Sequence, residues 1–177
     1  MGLLLPELPP GRVLPVVTAP APVLSAPSAE VDPGDPAVVQ LAADLLATQR
    51  VSPGCVGLAA PQVGVDWQVF SVDVTGHPKA RTLSGPLVLV NARLVEASRW
   101  EKGREGCMSV PDLTGDVKRA ARVIVTGLLP GTGEELVLPT DAFEARALQH
   151  EIDHCAGQLF LDRVAGAHAL YARKVYL

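Results

Sequence analysis

Apolar residues recur at helical spacing from Val38 through Val39, Leu41, Ala42, Leu45 and Leu46, which predicts an amphipathic helix over about 36–50. Asp35 followed by Pro36 supplies its start, an N-cap residue with proline at the first helical position, and Ser52-Pro53-Gly54 closes it. Between Val65 and Val74 the period shortens to two, as in a half-buried strand, and Pro86–Asn91 reads as a second, shorter one. Residues 92–98, 120–129 and 134–138 are further strand candidates, the last two divided by the turn Pro130-Gly131-Thr132-Gly133. The helical period returns over about 141–156. There Asp141 and Glu144 have capping-box spacing, Gly157 gives a stop, and Phe143, Ala147, His150 and His154 share one inward face. Residues 162–176 suggest a short last helix, weakened by Gly166.

Nine of the sixteen prolines fall within the first 36 residues, so that segment is expected to wrap the domain without regular structure and to hold its most flexible part, residues 1–14. The chain of 177 residues is 48% hydrophobic, with a mean hydropathy of +0.26. That suits one domain over 1–177, ending in a short segment over 163–177. A net charge of -4 without a Lys or Arg run gives no electrostatic footprint for nucleic acid or a membrane surface. The start, Met1-Gly2-Leu3-Leu4-Leu5-Pro6, lacks a basic leader and a signal-peptide core, and no stretch is long enough to span a bilayer. Three cysteines, an odd number without paired spacing, argue for a reducing compartment, and the cytoplasm is the expected location.

The second helix carries the chemistry. His150-Glu151-Ile152-Asp153-His154 puts two imidazoles one turn apart on one face, able to reach one ion, with a carboxylate beside the first. Random placement of four His and nine Glu would produce this spacing roughly 0.003 times per chain, so chance is a poor explanation. A catalytic site of this kind needs a third protein ligand, an Asp, Glu, His or Cys from elsewhere in the chain. His77, His168 and Cys107 are candidates, and spacing does not choose among them.

Three ordered segments do carry a resemblance. Cys55-Val56-Gly57-Leu58-Ala59-Ala60-Pro61-Gln62, Glu105-Gly106-Cys107-Met108-Ser109 and Gln149–His154 are similar to the three signature segments of the peptide deformylases, and the likeness runs from about Pro15 to Asp162. The resemblance implies a compact α+β domain, with antiparallel sheets packed around the central metal-binding helix, and removal of formyl from N-terminal formyl-methionine of nascent chains. It implies Cys107, His150 and His154 as ligands of one divalent ion, Fe(II) being favoured and Zn(II), Ni(II) or Co(II) possible. Glu151 would be general base and then acid, while the Gln62 side chain and the Met108 backbone N–H would be oxyanion donors. Val56, Gly57, Gly103, Glu105, Phe143 and Arg146 would line the substrate site, with Arg146 expected to face solvent.

Such an ion lowers the pKa of a bound water toward about 7. Losing one oxyanion donor costs about 2.7–4 kcal/mol of barrier in other hydrolases. The partners implied are N-formylmethionyl peptides. Ribosome docking through a basic tail is poorly supported, since only Arg163, Arg173 and Lys174 are basic after Asp162. Cys55 stands where the family usually has glycine, which would strain the backbone if φ there is positive. Two alternatives compete: a zinc endopeptidase with His168 as third ligand, and a non-catalytic relative that binds without turning over.

Overall fold

The computed structural model describes residues 5–174; the first four residues of the expected flexible start and the last residues of the expected C-terminal helix lie outside them. Helix α1 spans Pro36–Arg50, and the Asp35 carboxylate accepts from the Ala37 N–H at its first turn. This is the expected element with its expected cap.

The strands are β1 (Gly57–Ala59), β2 (Val69–Val72), β3 (Leu87–Cys107), β4 (Val110–Leu128), β5 (Glu135–Asp141) and β6 (Leu170–Ala172), and they form one antiparallel sheet. Their order is β1-β2-β3-β4-β5, with β6 added along the first half of β4. Three expectations change in extent. The strand read over 120–129 begins already at Val110. The strand read over Val65–Val74 narrows to Val69–Val72, and the separate candidates at 86–91 and 92–98 are one strand that continues to Cys107. Register shifts near Val90, Leu94 and Gly106 bend the β3–β4 hairpin, so one pair of strands serves the core at one end and Cys107 at the other.

Side-chain alternation sorts the sheet's two faces. Phe70, Val72, Leu87 and Leu89 pack with Ala145 and Leu148 of α2 (Ala142–Cys155), while Val69, Val88 and Val90 pack with Val38, Leu41 and Leu45 of α1. Each Val, Leu or Phe side chain among these, fully buried, contributes about 1.5–3 kcal/mol. With both faces covered, Val69–Val72 is buried at every position, which is why its alternation is faint in the sequence. A third cluster joins Cys107, Val110 and Val117 to Phe160 at the hairpin tip.

Among the described residues the proline-rich start has no helix or strand beyond a 3-10 turn at Pro22–Ser25, as its composition implies, yet from Leu14 onward it is fastened to the domain. Leu14 N–H donates to Thr48 Oγ1 on α1 (2.9 Å), Val17 N–H to the Gln62 carbonyl (2.8 Å) and Ala19 N–H to the Ser109 carbonyl (2.8 Å).

Two helix expectations are corrected. The Asp141–Glu144 capping box does not form: Asp141 accepts from Thr82, and Glu144 is drawn away by Ser84 and Thr140. The helix over 162–176 is absent from its described part. Gly166 is fully extended there, a 3-10 turn spans Ala167–Ala169, and Leu170–Ala172 pairs with Leu113–Gly115 of β4. That pairing gives the backbone of Leu170–Ala172 its partners on β4. At the far end of α2, Gly157 takes φ +79° and closes the helix as expected, and a Cβ there would meet Ala26 at 2.7 Å.

Candidate active site

Cys107 ends β3, Gln62 lies in the 3-10 turn Ala60–Val63 after β1, and His150, Glu151 and His154 lie on α2. The fold brings these segments to one cavity of about 300 Å³. The donor atoms of Cys107, His150 and His154 lie within 4.8 Å of one another, and Cys107 Sγ is 3.3 Å from His154 Nε2. One thiolate and two imidazoles at this spacing fit a divalent first-row ion.

Orientation of the His150 ring is set by Glu105. Its Oε1 lies 2.9 Å from His150 Nδ1. Burial alone would raise the Glu105 pKa, but hydrogen bonds from Arg119 and His150 outweigh it and hold the carboxyl well below its usual range. An ionised carboxylate only accepts, so His150 Nδ1 is the donor and Nε2 is left to face the cluster. Burial and the neighbouring His150 push the His154 pKa well below its usual value, keeping that ring neutral, the form in which imidazole binds a metal.

Behind Glu105 stands an ion-pair chain. Arg119 of β4 grips it bidentately (2.8 and 2.9 Å) and reaches Asp153 of α2 (2.5 Å), and Asp153 is gripped in turn by Arg163. Arg146 joins at Glu105 Oε2 (2.8 Å) and at the Val117 and Glu101 carbonyls. The expectation that Arg146 faces solvent is therefore corrected: only 14% of its side chain is exposed. Gly103 allows this, since a Cβ there would lie 2.9 Å from the Arg146 guanidinium carbon.

Glu151 is buried, with Oε2 lacking a hydrogen-bond partner among the described residues. Burial raises its carboxyl to about 7, against the opposing charges of His150 and Arg119. It lies hard against Gly57, where a Cβ would come within 2.6 Å of Oε1. Gly57→Ala is expected to displace this carboxylate and lower kcat by about 10²-fold with metal content unchanged, measured by steady-state assay and metal analysis. Wild-type kcat in that variant would count against the close packing.

Gln62 is buried, with Oε1 accepting from Ala59 N–H (3.0 Å) and Nε2 directed at Cys107 Sγ (3.4 Å) and Ser109 Oγ (3.2 Å). Met108 sits in the two-residue turn joining β3 to β4, on the cavity wall. Val56, Gly57, Glu105, Phe143 and Arg146 line the same cavity, whereas His154 lies beneath it and Gly103 lines a neighbouring groove. Cys55 is not among the residues with positive φ; Gly54 takes that conformation at +71°, so the feared strain at Cys55 does not arise. Cys155 packs against the α2 core cluster.

His168 is exposed and outside the donor cluster, which removes the third ligand of the endopeptidase reading. His77 likewise stays outside, stacked on Phe143 with ring centroids 3.6 Å apart. Sequence reasoning missed Arg119, Asp153 and Arg173. Arg119 immediately precedes the stretch read as strand, and Arg173, which donates to the Cys107 carbonyl at 3.3 Å, lay within the supposed helix. A charged residue at an inward strand position was the available signal for Arg119.

Residues 13–169 match the family described as polypeptide deformylase. The chain is similar to peptide deformylase 1 of Vibrio vulnificus strain YJ016, 45% identical over 151 residues and 85% of each protein. It is 42% identical to the peptide deformylase of Carboxydothermus hydrogenoformans, over 72% of this chain and 78% of that one. Among solved structures, that of peptide deformylase from Ehrlichia chaffeensis superposes with a TM-score of 0.80 at 34% identity, over 86% of this chain and 88% of that one. The Met-Ala-Ser-bound class I type b enzyme of Acinetobacter baumannii gives 0.78 at 35%, over 85% and 99%.

Proposed function

The chain belongs to the polypeptide deformylase family, and from that premise we propose how its own side chains remove formyl from the N-terminal formyl-methionine of nascent polypeptides, releasing formate. The reaction is metal-dependent amide hydrolysis. The observation that carries the residue assignments is the convergence of Gln62, Cys107 and the His150–His154 segment on one cavity.

Cys107, His150 and His154 would hold one divalent ion, which when bound supplies Lewis acidity and makes hydroxide available near neutral pH. We favour Fe(II), and the same donor set accepts Zn(II), Ni(II) or Co(II). Glu151, whose carboxyl is poised at about 7, takes a proton from the attacking water and returns it to the departing amine nitrogen. One Gln62 Nε2 hydrogen turns from Ser109 or Cys107 to the formyl oxygen and, with the Met108 N–H, holds that oxygen as its charge grows. Val56 and Phe143 receive the methionine side chain beside Gly57. Arg146 and Glu105 act behind it, Arg146 closing the wall and Glu105 orienting His150.

We assign all of 1–177 to this one catalytic domain, because its three hydrophobic clusters share a single sheet. We place it in the cytoplasm, in keeping with three free cysteines. Any ribosome contact would not run through Arg163 and Arg173, which are held by Asp153 and the Cys107 carbonyl.

The test is formate release from formyl-Met-Ala-Ser under anaerobic conditions, with metal analysis. Turnover of the iron-loaded protein is expected, with activity lost on exposure to air as the thiolate and ferrous ion oxidise. Casein cleavage without deformylation would sink the reading, and equal stability of aerobic and anaerobic iron preparations would sink the preference for iron.

A further inference from the structure

A second cavity of about 460 Å³ adjoins the catalytic one, and the two share Arg104, Phe143 and Arg146 as a common wall. Its remaining lining is strongly one-signed. Lys79, Arg81, Arg99, Lys102 and Arg122 are exposed there and form no ion pair among the described residues. Its acids are Glu101 and Asp141, and Thr82 already donates to Asp141. On a chain of net charge -4 this is a local reversal of sign, and a concave wall focuses such a field. Arg99 also carries φ +59°, a left-handed backbone rare for a side chain of its size, at a position skipped in the pairing between Ser98 and Trp100 of β3. Solvated cations are ordinary on a convex surface. Five unpaired ones in a groove that shares its wall with the catalytic cavity are not.

We propose that this groove binds acidic side chains of the substrate downstream of its formyl-methionine, so that the enzyme favours nascent chains with Asp or Glu at about the third to sixth positions. The proposal rests on the deformylase reading, because the methionine pocket is what fixes the substrate's register. An extended chain advances about 3.3–3.6 Å per residue and turns alternate side chains to one wall, so a short acidic run can set two carboxylates against the groove. These contacts exist before and during reaction alike, so they lower KM and leave kcat unchanged. Exposed pairs are individually weak, and two or three together give about a five- to tenfold effect.

The experiment compares formyl-Met-Ala-Ser-Glu-Glu-Glu with formyl-Met-Ala-Ser-Gln-Gln-Gln on the metal-replete full chain. The acidic peptide is expected to show a KM about five- to tenfold lower at low salt, with the gap closing at 0.5 M salt, where the screening length falls below about 5 Å. Arg99→Glu with Arg122→Glu is expected to abolish the gap while formyl-Met-Ala-Ser is still turned over at the wild-type rate. Lys79→Glu with Arg81→Glu, on a separate loop, is a second variant should the first not fold. Equal KM values in the wild type, or a gap that survives charge reversal, would overturn the proposal. So would inhibition by an RNA oligomer that the charge-reversed protein escapes, which would make the groove a nucleic-acid surface. If no formyl peptide is turned over, formyl-Met-Ala-Ser included, the proposal falls together with the deformylase reading and not on its own account.

Discussion

Replacing Glu151 with glutamine is expected to lower kcat by about 10²–10⁴-fold while the protein keeps its metal. Glutamine preserves the shape pressed against Gly57, where a Cβ would come within 2.6 Å of Glu151, so the cavity wall should stay in place. What is lost is an acceptor for the water proton and a donor for the leaving nitrogen. Unlike the cluster atoms of Cys107, His150 and His154, the Glu151 carboxylate is not part of the ligand set, so metal content should be unaffected. The measurement is kcat for formyl-Met-Ala-Ser beside metal stoichiometry. A metal-replete variant with wild-type turnover would end the general-base assignment. A variant that loses its metal would instead make Glu151 part of the ligand set.

The second large effect is on stability. Arg119 is 3% exposed and is the bridge between Glu105 and Asp153, so Arg119→Met leaves two buried carboxylates short of their partner. Breaking a buried pair in this way costs about 3–5 kcal/mol, a large share of the stability of a domain this size. Removing charge at both ends costs less than the sum, so Glu105→Gln combined with Arg119→Met should recover part of the loss. Urea midpoints of the single and double variants measure this. Strict additivity would show that the two residues do not act as a pair. The pH dependence has a fixed sign. Glu105 is more acidic folded than unfolded, so its contribution is complete above its ordinary value of 4.5 and is lost as pH falls below it. The wild type should therefore lose stability below about pH 4.5 more steeply than the double variant does.

Much of this was readable in the chain. The Asp35-Pro36 start located α1, and the imidazole spacing located α2 and the metal site on its inward face. What escaped did so for physical reasons. Residues 93–102 of β3 are exposed at every position, so no alternation marks them; their strand character comes from main-chain pairing with β4, which no side-chain pattern reports. The last strand was hidden because Leu170–Ala172 is too short to show a period and owes its form to a neighbour more than fifty residues upstream. The chain Glu105–Arg119–Asp153–Arg163 draws on β3, β4, α2 and the turn after it, so its members look like unrelated surface charges until the elements are assembled. Cys55 shows the converse. A residue that looked strained by comparison with its family is relaxed because Gly54 beside it absorbs the turn.

The proline-rich start bears on the shape of the cavity. By donating to the Gln62 carbonyl from Val17 and to the Ser109 carbonyl from Ala19, it staples together the two turns beside the metal cluster. Both staples join parts of the chain far apart in sequence, and ring closures of that size follow local helix and hairpin formation. The spacing between Gln62 and the turn at Met108–Ser109 thus depends on a segment remote from both in sequence. Residues with no chemistry of their own thus hold two walls of the cavity at their distance.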